Sequence, residues 1–482
     1  MAKAMTAEKL QRLQAKREKE IRKWEKEKAK PKKNLYFVYI ILVITLIYVT
    51  DEVASQIGTL MKTEIANDLF ASEGSVGWLD MLSILSAPFM AIGLFYRPLA
   101  DRWGRKMFLI INTFGMSFGL LFIYLSQNVF LYFVGACAVQ FFIPHDMHVV
   151  YIMESSPPKH RARIYSIIKF FANMGVMLIP LLRKYLMSDA TQWRRIYFIP
   201  AVVGVIVCFV ALFTARETDS YIDSRLRYLR MTDAEREAEK LAKNEQNVQG
   251  GLIPAFKFAL KHKQLRWLYI TSTLANVGIF ATVNYQVVIS YGYAQNYVSN
   301  GLFSALGEDV LNFVSTGPVT EALMLFPIGS ALAQVLMGFV SDSKGRKAAA
   351  ITTAVNCLVS FVLFSVGSVM AWNPYVVGFL CGAFIGSYYS TNDVIIMMIG
   401  ESAPTNLRSS AISAQYITCV ASYAISYGVG LPLVTLLGNH IMGIVSFALM
   451  VPGFAAAFFA LVRKTHETKE INVDTVTGCE WD

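Results

Sequence analysis

Residues 101–106 read Asp-Arg-Trp-Gly-Arg-Lys, and residues 342–347 read Asp-Ser-Lys-Gly-Arg-Lys. Each copy follows one apolar run of about twenty residues and precedes another, which is the length needed to cross the hydrocarbon core of a bilayer as a helix. A basic hairpin between two such helices, occurring twice and 241 residues apart, predicts a duplicated helical bundle in a membrane.

The chain on either side of the two copies fits that reading. Of 482 residues, 55% are hydrophobic and only 16% are charged, against about 25% charged in a soluble domain. Twelve apolar runs lie at roughly 35–61, 76–96, 107–126, 129–153, 164–187, 194–215, 265–292, 318–340, 348–370, 375–400, 409–437 and 441–463. The expected class is an all-α membrane protein with twelve transmembrane helices in two pseudo-symmetric six-helix bundles. These occupy 34–215 and 264–463. A polar segment, 216–263, joins them, and tails of 1–33 and 464–482 flank them.

Further correspondences run in the same order through both halves. The string Glu154-Ser-Ser-Pro157-Pro-Lys-His-Arg161 returns as Glu401-Ser-Ala-Pro404-Thr-Asn-Leu-Arg408, and Arg216-Glu217-Thr218 returns as His466-Glu467-Thr468. Asp80 lies 21 residues before Asp101, and Glu321 lies 21 before Asp342.

The net charge of +10 is concentrated at one end: residues 1–33 hold 13 Lys+Arg against 5 Glu, a net +8. Beside apolar spans this favours a cytoplasmic arm near anionic lipid, where each basic residue is worth about 1 kcal/mol, over binding to nucleic acid. The charged stretch is too long for the n-region of a cleavable signal, so the first apolar run is expected to be retained. Basic residues fill both tails and alternate loops, which predicts cytoplasmic termini. One connection breaks the pattern, with Arg183, Lys184, Arg194 and Arg195 on the predicted outer side. The six cysteines (137, 208, 357, 381, 419 and 479) show neither metal spacing nor a disulfide framework. No metal site, cofactor, phosphate-cradling loop or enzyme constellation is expected.

Polar residues inside apolar runs mark candidate functional positions, because ionisable groups in a membrane are costly. His145, Asp146 and His148 lie in the fourth run and Lys169 in the fifth. Asp146 and Lys169 each sit eight residues from the connecting loop, about 12 Å deep at a helical rise of 1.5 Å per residue. Asn173 shares a helix face with Lys169. These groups suit either proton binding and release or a structural ion pair between the two spans. The offset of 247 that pairs Glu154 with Glu401 takes Asp146 to Asp393, His145 to Asn392 and Lys169 to Tyr416. Tyr388, Tyr389, Asn392, Asp393, Gln415 and Tyr416, with Asn173, Asn284 and Gln286, are the substrate-binding candidates; Asp80 and Glu321 read as rim residues.

The loops at 101–106 and 342–347, the Glu-x-x-Pro-x-x-x-Arg strings and the Glu motifs at 217 and 467 resemble those of the major facilitator superfamily. Within it they are most similar to sugar porters and related metabolite:proton symporters, over about 34–469. The resemblance implies the fold of that superfamily, transport by alternating access, and a cytoplasmic latch of Asp101, Arg105, Glu154, Arg161 and Glu217 with Asp342, Arg346, Glu401, Arg408 and Glu467. It also implies a role in proton coupling for Asp51, in Tyr48-Val-Thr-Asp51, beside His145, Asp146, His148 and Lys169. Lys169 stands where porters usually place a substrate-contacting Gln, which points to an anionic or zwitterionic substrate. There are departures. Arg97 occupies the place of the glycine that Gly338 supplies in the second copy, and residues 276–286 lack the paired glutamines of sugar porters. The expected function is proton-coupled symport of a small polar metabolite by a monomer in the plasma or inner membrane. A proton-driven exporter of drugs or metabolic products, and a non-transporting receptor or scaffold, are the alternatives.

Overall fold

The computed structural model describes residues 7–29, 36–96, 104–142, 151, 154–155, 168, 170–232, 234–238, 241, 252–404 and 407–469. The described residues contain helices and no strand. Eight helical stretches among them are long and apolar enough to cross a membrane. In the first half the helices are α1 (Ala7–Lys28), α2 (Tyr36–Leu60), α3 (Lys62–Leu69), α4 (Ser75–Tyr96), α5 (Arg105–Leu125), α6 (Val129–Phe142), α7 (Leu178–Leu186) and α8 (Arg194–Thr214). The bridge carries α9 (Asp219–Arg230) and α10 (Leu252–Lys261). The second half holds α11 (Lys263–Asn276), α12 (Ile279–Ser299), α13 (Glu308–Val314), α14 (Thr320–Lys344), α15 (Arg346–Val369), α16 (Pro374–Ser402), α17 (Arg408–Leu437) and α18 (Met442–Lys464).

Helix packing in lipid relies on close backbone approach, since apolar surface gains little by leaving one hydrocarbon for another. Gly378, Gly382 and Gly386 repeat every fourth residue along one face of α16. A Cβ on them would stand 1.7 Å from Ala322 O, 2.0 Å from Phe326 O and 2.4 Å from Ser330 O of α14. Gly119 and Gly135 do the same for α5 and α6, where each would place a Cβ within 3.1 Å of the opposing backbone. Large apolar side chains such as Phe213, Phe339, Ile444 and Leu436 instead face outward, as a bilayer solvent requires.

Three elements differ from the sequence reading. The seventh span is broken at Val277–Gly278 into α11 and α12 and runs on to Ser299. The expected loop at 293–317 therefore holds the end of α12, α13 and a π-turn at Ser315–Val319 leading into α14. Finally, the basic tail forms α1, which docks on α9. Trp24 is buried and meets the Tyr221 ring edge-on at 5.5 Å, beside Ile222, Leu226 and Leu229. Arg225–Glu20 (2.8 Å) and Arg230–Glu25 (2.7 Å) flank that small core. Counting charges alone could not show that Ile21 and Trp24, three residues apart, share a face.

Because α2 runs from the tail side at Tyr36 to the far side at Leu60, the principal contacts between the halves lie on the far side. They pair α4 with α17, α2 and α3 with α12, and α7 with α14.

Candidate functional site

Three sets of polar groups are built by this arrangement, one on the tail side, one towards the far side and one within the second half. On the tail side the repeated motif folds twice into the same network. Gly104 and Gly345 adopt φ of +101° and +104°, a conformation that only glycine takes readily. Each turns the chain so that the following helix offers backbone N–H groups to a carboxylate. Glu217 accepts from Lys106 N (3.1 Å), and Glu467 from Arg346 N (2.8 Å) and Lys347 N (3.0 Å). Arg105 pairs with Glu154 at 3.3 Å and Arg346 with Glu401 at 3.1 Å. Thr218 and Thr468 donate to those same two glutamates. These described contacts join segments of the same half.

The two copies differ in electrostatics. Burial pushes the carboxyl of Glu217 above the usual glutamate range; the N–H groups of Lys106, Thr218 and Arg105 oppose this, and the charge of Glu154 adds to it. Burial also raises Glu467, but the N–H groups of Lys469, Arg346, Lys347 and Thr468 outweigh it and pull the carboxyl below that range. Ionisation of Glu217 therefore lowers stability as pH rises through its folded pKa. Glu467 contributes stability at neutral pH and loses it as pH falls through its folded pKa. Thermal denaturation of Glu217→Gln and Glu467→Gln at about pH 4 and about pH 7 checks this. Relative to the parent, Glu217→Gln gains on going to the higher pH and Glu467→Gln loses. The same sign for both contradicts the assignment.

Towards the far side, a buried network crosses between the halves. Arg183, 1% exposed, pairs with Glu64 at 2.5 Å. It also donates to Leu60 O (2.7 Å), Ser315 O (3.0 Å) and Thr320 Oγ1 (3.1 Å). Gln286 donates to Glu64 (3.2 Å) and accepts from Thr63 N (2.9 Å). Lys62 pairs with Asp80 and donates to Val283 O (3.0 Å), while Asn284 donates to Asp80 (3.1 Å). Asn439 completes the junction, accepting from Val76 N (3.0 Å) and donating to Ser75 Oγ (2.7 Å). Residues 60–80 and 183 belong to the first half, and 283–320 and 439 to the second.

A separate polar chain lies within the second half. Asn276 donates to Asn392 (2.8 Å) and accepts from the Tyr388 hydroxyl (3.0 Å). Gln415 donates to Ser272, and its Oε1 is buried without a hydrogen-bond partner. Tyr389 is 43% exposed and its ring meets that of Tyr388 edge-on at 5.4 Å. Asn173 reaches Gln334 of the second half at 3.5 Å. Asp51 is buried on α2.

Of the residues singled out from sequence, Tyr388, Asn392 and Gln415 thus gather in one part of the second half, with Tyr389 and Asp393 next to them on α16. Asn284 and Gln286 sit in the far-side network. Asp80, read as a rim residue, is buried there too. Asp101, His145, Asp146, His148, Arg161 and Lys169 lie outside the described residues. Asp342, Arg408 and Tyr416 lie on α14 and α17, with side chains outside the description. Glu64, Lys62 and Arg183 were missed as site residues. The available signals were Lys62 and Glu64 at the end of an apolar run, and Arg183 against the charge rule. Among the described residues no group of three or more His, Cys, Asp or Glu gathers to hold a metal.

Comparison with known proteins places this architecture. The chain is 23% identical over 340 residues to multidrug resistance protein MdtG of Escherichia coli O9:H4 (strain HS), covering 67% of this chain and 81% of that protein. It is 23% identical over 372 residues to the proline/betaine transporter of Escherichia coli (strain K12), covering 72% and 67%. Among solved structures, the inward open xylose transporter XylE from E. coli superposes with a TM-score of 0.59 at 15% identity, covering 91% of this chain and 99% of that one. A bacterial homolog of the human lysosomal transporter Spinster, inward-facing and unoccupied, gives 0.58 at 13% identity, covering 89% and 96%. The family model of the Major Facilitator Superfamily matches residues 40–314, more than half of the sequence, and the chain belongs to that superfamily of multi-pass membrane transporters.

Proposed function

We propose that the chain is a secondary active transporter that takes up a small polar metabolite with a proton by alternating access. Both tails would be in the cytoplasm of a cell bounded by the plasma or inner membrane, and the monomer would be the working unit. The observation that carries this reading is the buried network Glu64–Arg183 and Lys62–Asp80 joining the two halves on the far side. Buried ion pairs are weak sources of net stability, because desolvation offsets most of the Coulomb gain. They close one face of a carrier without locking it. With the tails cytoplasmic, this is the external gate, shut in an inward-facing arrangement.

The polar wall of Asn276, Tyr388, Asn392 and Gln415, with Tyr389, Asp393 and Asn173, is the substrate-facing surface in this reading. Asp51, Asp146, Lys169 and the histidines at 145 and 148 are the coupling candidates. Uptake into proteoliposomes under an imposed inside-alkaline gradient tests it: accumulation is expected, and Asp146→Asn abolishes it. Flux only under the opposite gradient, in an orientation-controlled preparation, overturns it in favour of export. That second reading has its own support in the similarity to MdtG and in a cavity between the halves lined by Leu82, Val139, Tyr132, Tyr197 and Tyr423.

A further inference from the structure

That cavity has a volume of about 770 Å³, within the range of about 300–1,000 Å³ typical of small-molecule sites. Its walls come from both halves: Ser55 and Thr59 of α2, Ser83 of α4, and Tyr423 and Tyr427 of α17. Lys62 and Asp80 also line it, although they are only 5% and 1% exposed. An ammonium and a carboxylate thus stand side by side in the wall of a chamber whose other lining residues are uncharged.

Each of these two charges also ties the halves together. Lys62 donates to Val283 O, and Asp80 accepts from Asn284, both on α12. A ligand that contacts them must satisfy two opposite charges at once. A purely anionic ligand would take Lys62 and strand Asp80 in a poorly solvated site; a purely cationic one would strand Lys62. An uncharged ligand has nothing to offer in place of the pair. Only a ligand carrying both signs replaces each partner, keeping the site neutral before and after binding. The tyrosines add faces that attract a weakly hydrated ammonium.

We infer that the Lys62–Asp80 pair in the wall of this cavity is a recognition site for a zwitterionic substrate, one bearing an ammonium and a carboxylate. The carboxylate goes to Lys62 and the ammonium to Asp80. Because the same two groups hold α12, a bound zwitterion and the closed far-side tie are alternatives at these residues. The inference names the substrate class of the transport activity proposed above and rests on that reading.

The test uses the purified full chain and matched probes at equal ionic strength. Glycine betaine, proline and the other neutral α-amino acids are the zwitterions. Choline is the cation, and 3,3-dimethylbutanoate, with carbon in place of the betaine nitrogen, is the anion. At least one zwitterion should raise the denaturation temperature saturably, while choline and 3,3-dimethylbutanoate leave it unchanged. The double variant Lys62→Gln/Asp80→Asn removes both charges and keeps hydrogen-bonding groups. It should raise the half-saturating concentration at least about tenfold, the scale of one lost charge-assisted hydrogen bond. Should that variant not fold, Lys62→Arg keeps both charges but changes the donor geometry, and it should alter the order in which zwitterions stabilise. No zwitterion outperforming its singly charged analogue, an unchanged half-saturating concentration, or an unchanged order with Lys62→Arg overturns the site. Proton-driven flux of an uncharged solute alone overturns this inference and leaves the transport reading standing. Zwitterion binding that depends on the pair, without flux of any solute, does the reverse.

Discussion

Arg183→Met destabilises the protein by about 3–5 kcal/mol, the cost of leaving one member of a buried ion pair alone, and abolishes gradient-driven accumulation. The guanidinium is buried and binds Glu64, Leu60 O, Ser315 and Thr320. Without it, Glu64 keeps Gln286 and Ser315 as hydrogen-bond donors but loses its countercharge. The double variant Glu64→Gln/Arg183→Met separates the two effects. Removing both charges restores most of the stability, because a buried pair gains little over neutral groups of similar volume. It does not restore accumulation, since the far-side tie between α3, α7 and the start of α14 stays loosened. Denaturation temperature and proteoliposome uptake read the two effects independently. A loss below about 1 kcal/mol, the worth of an exposed pair, contradicts the placement of Arg183 between the halves.

The largest structural effect belongs to a residue with no charge. Gly378→Val and Gly382→Val prevent α14 and α16 from packing, and neither variant yields a monodisperse protein. The new Cβ would stand 1.7 Å from Ala322 O or 2.0 Å from Phe326 O. Both are backbone atoms of α14, so no side-chain rotation relieves the overlap. Overpacking a core costs about 1–3 kcal/mol when side chains can shift, and separating two helix backbones costs more. Gly428→Ala is the control: among the described residues nothing lies within 4 Å of a Cβ there, and the variant purifies like the parent in size-exclusion chromatography. Equal behaviour of Gly378→Val and Gly428→Ala contradicts the packing described.

The duplicated motif was legible because it repeats the same chemistry at the same place in each half. Arg105 and Arg346, Glu154 and Glu401, and Glu217 and Glu467 correspond in sequence and make corresponding contacts. What sequence cannot supply is the opposite direction in which Glu217 and Glu467 are shifted. That follows from how much chain covers each carboxylate, and the α9 helix that begins after Thr218 packs on α1. The far-side network was harder to read because its members come from six separated segments, and a carboxylate at residue 64 carries no mark of a partner at 183. Arg183 nevertheless announced itself. It broke the loop-charge pattern because it is not a loop residue: α7 carries it, and Glu64 neutralises it. The glycine stripe at 378, 382 and 386 was also visible in the sequence, but the helix it faces was not. Lys62 was passed over because a lysine just beyond an apolar run ordinarily reaches the water, as long basic side chains do near helix ends. Here Asp80 and Val283 hold it inside.

Alternating access, with the far side as one gate, predicts that the distance between the far-side ends of α4 and α17 takes two values. Spin labels at Ser72→Cys and Leu436→Cys, both exposed positions, report it by double electron–electron resonance in proteoliposomes. One short distance is expected for the parent at rest. A second, longer population should appear in Glu64→Gln/Arg183→Met and in the parent with transported solute present. A single short distance under every condition, in a preparation that still transports, contradicts the gate.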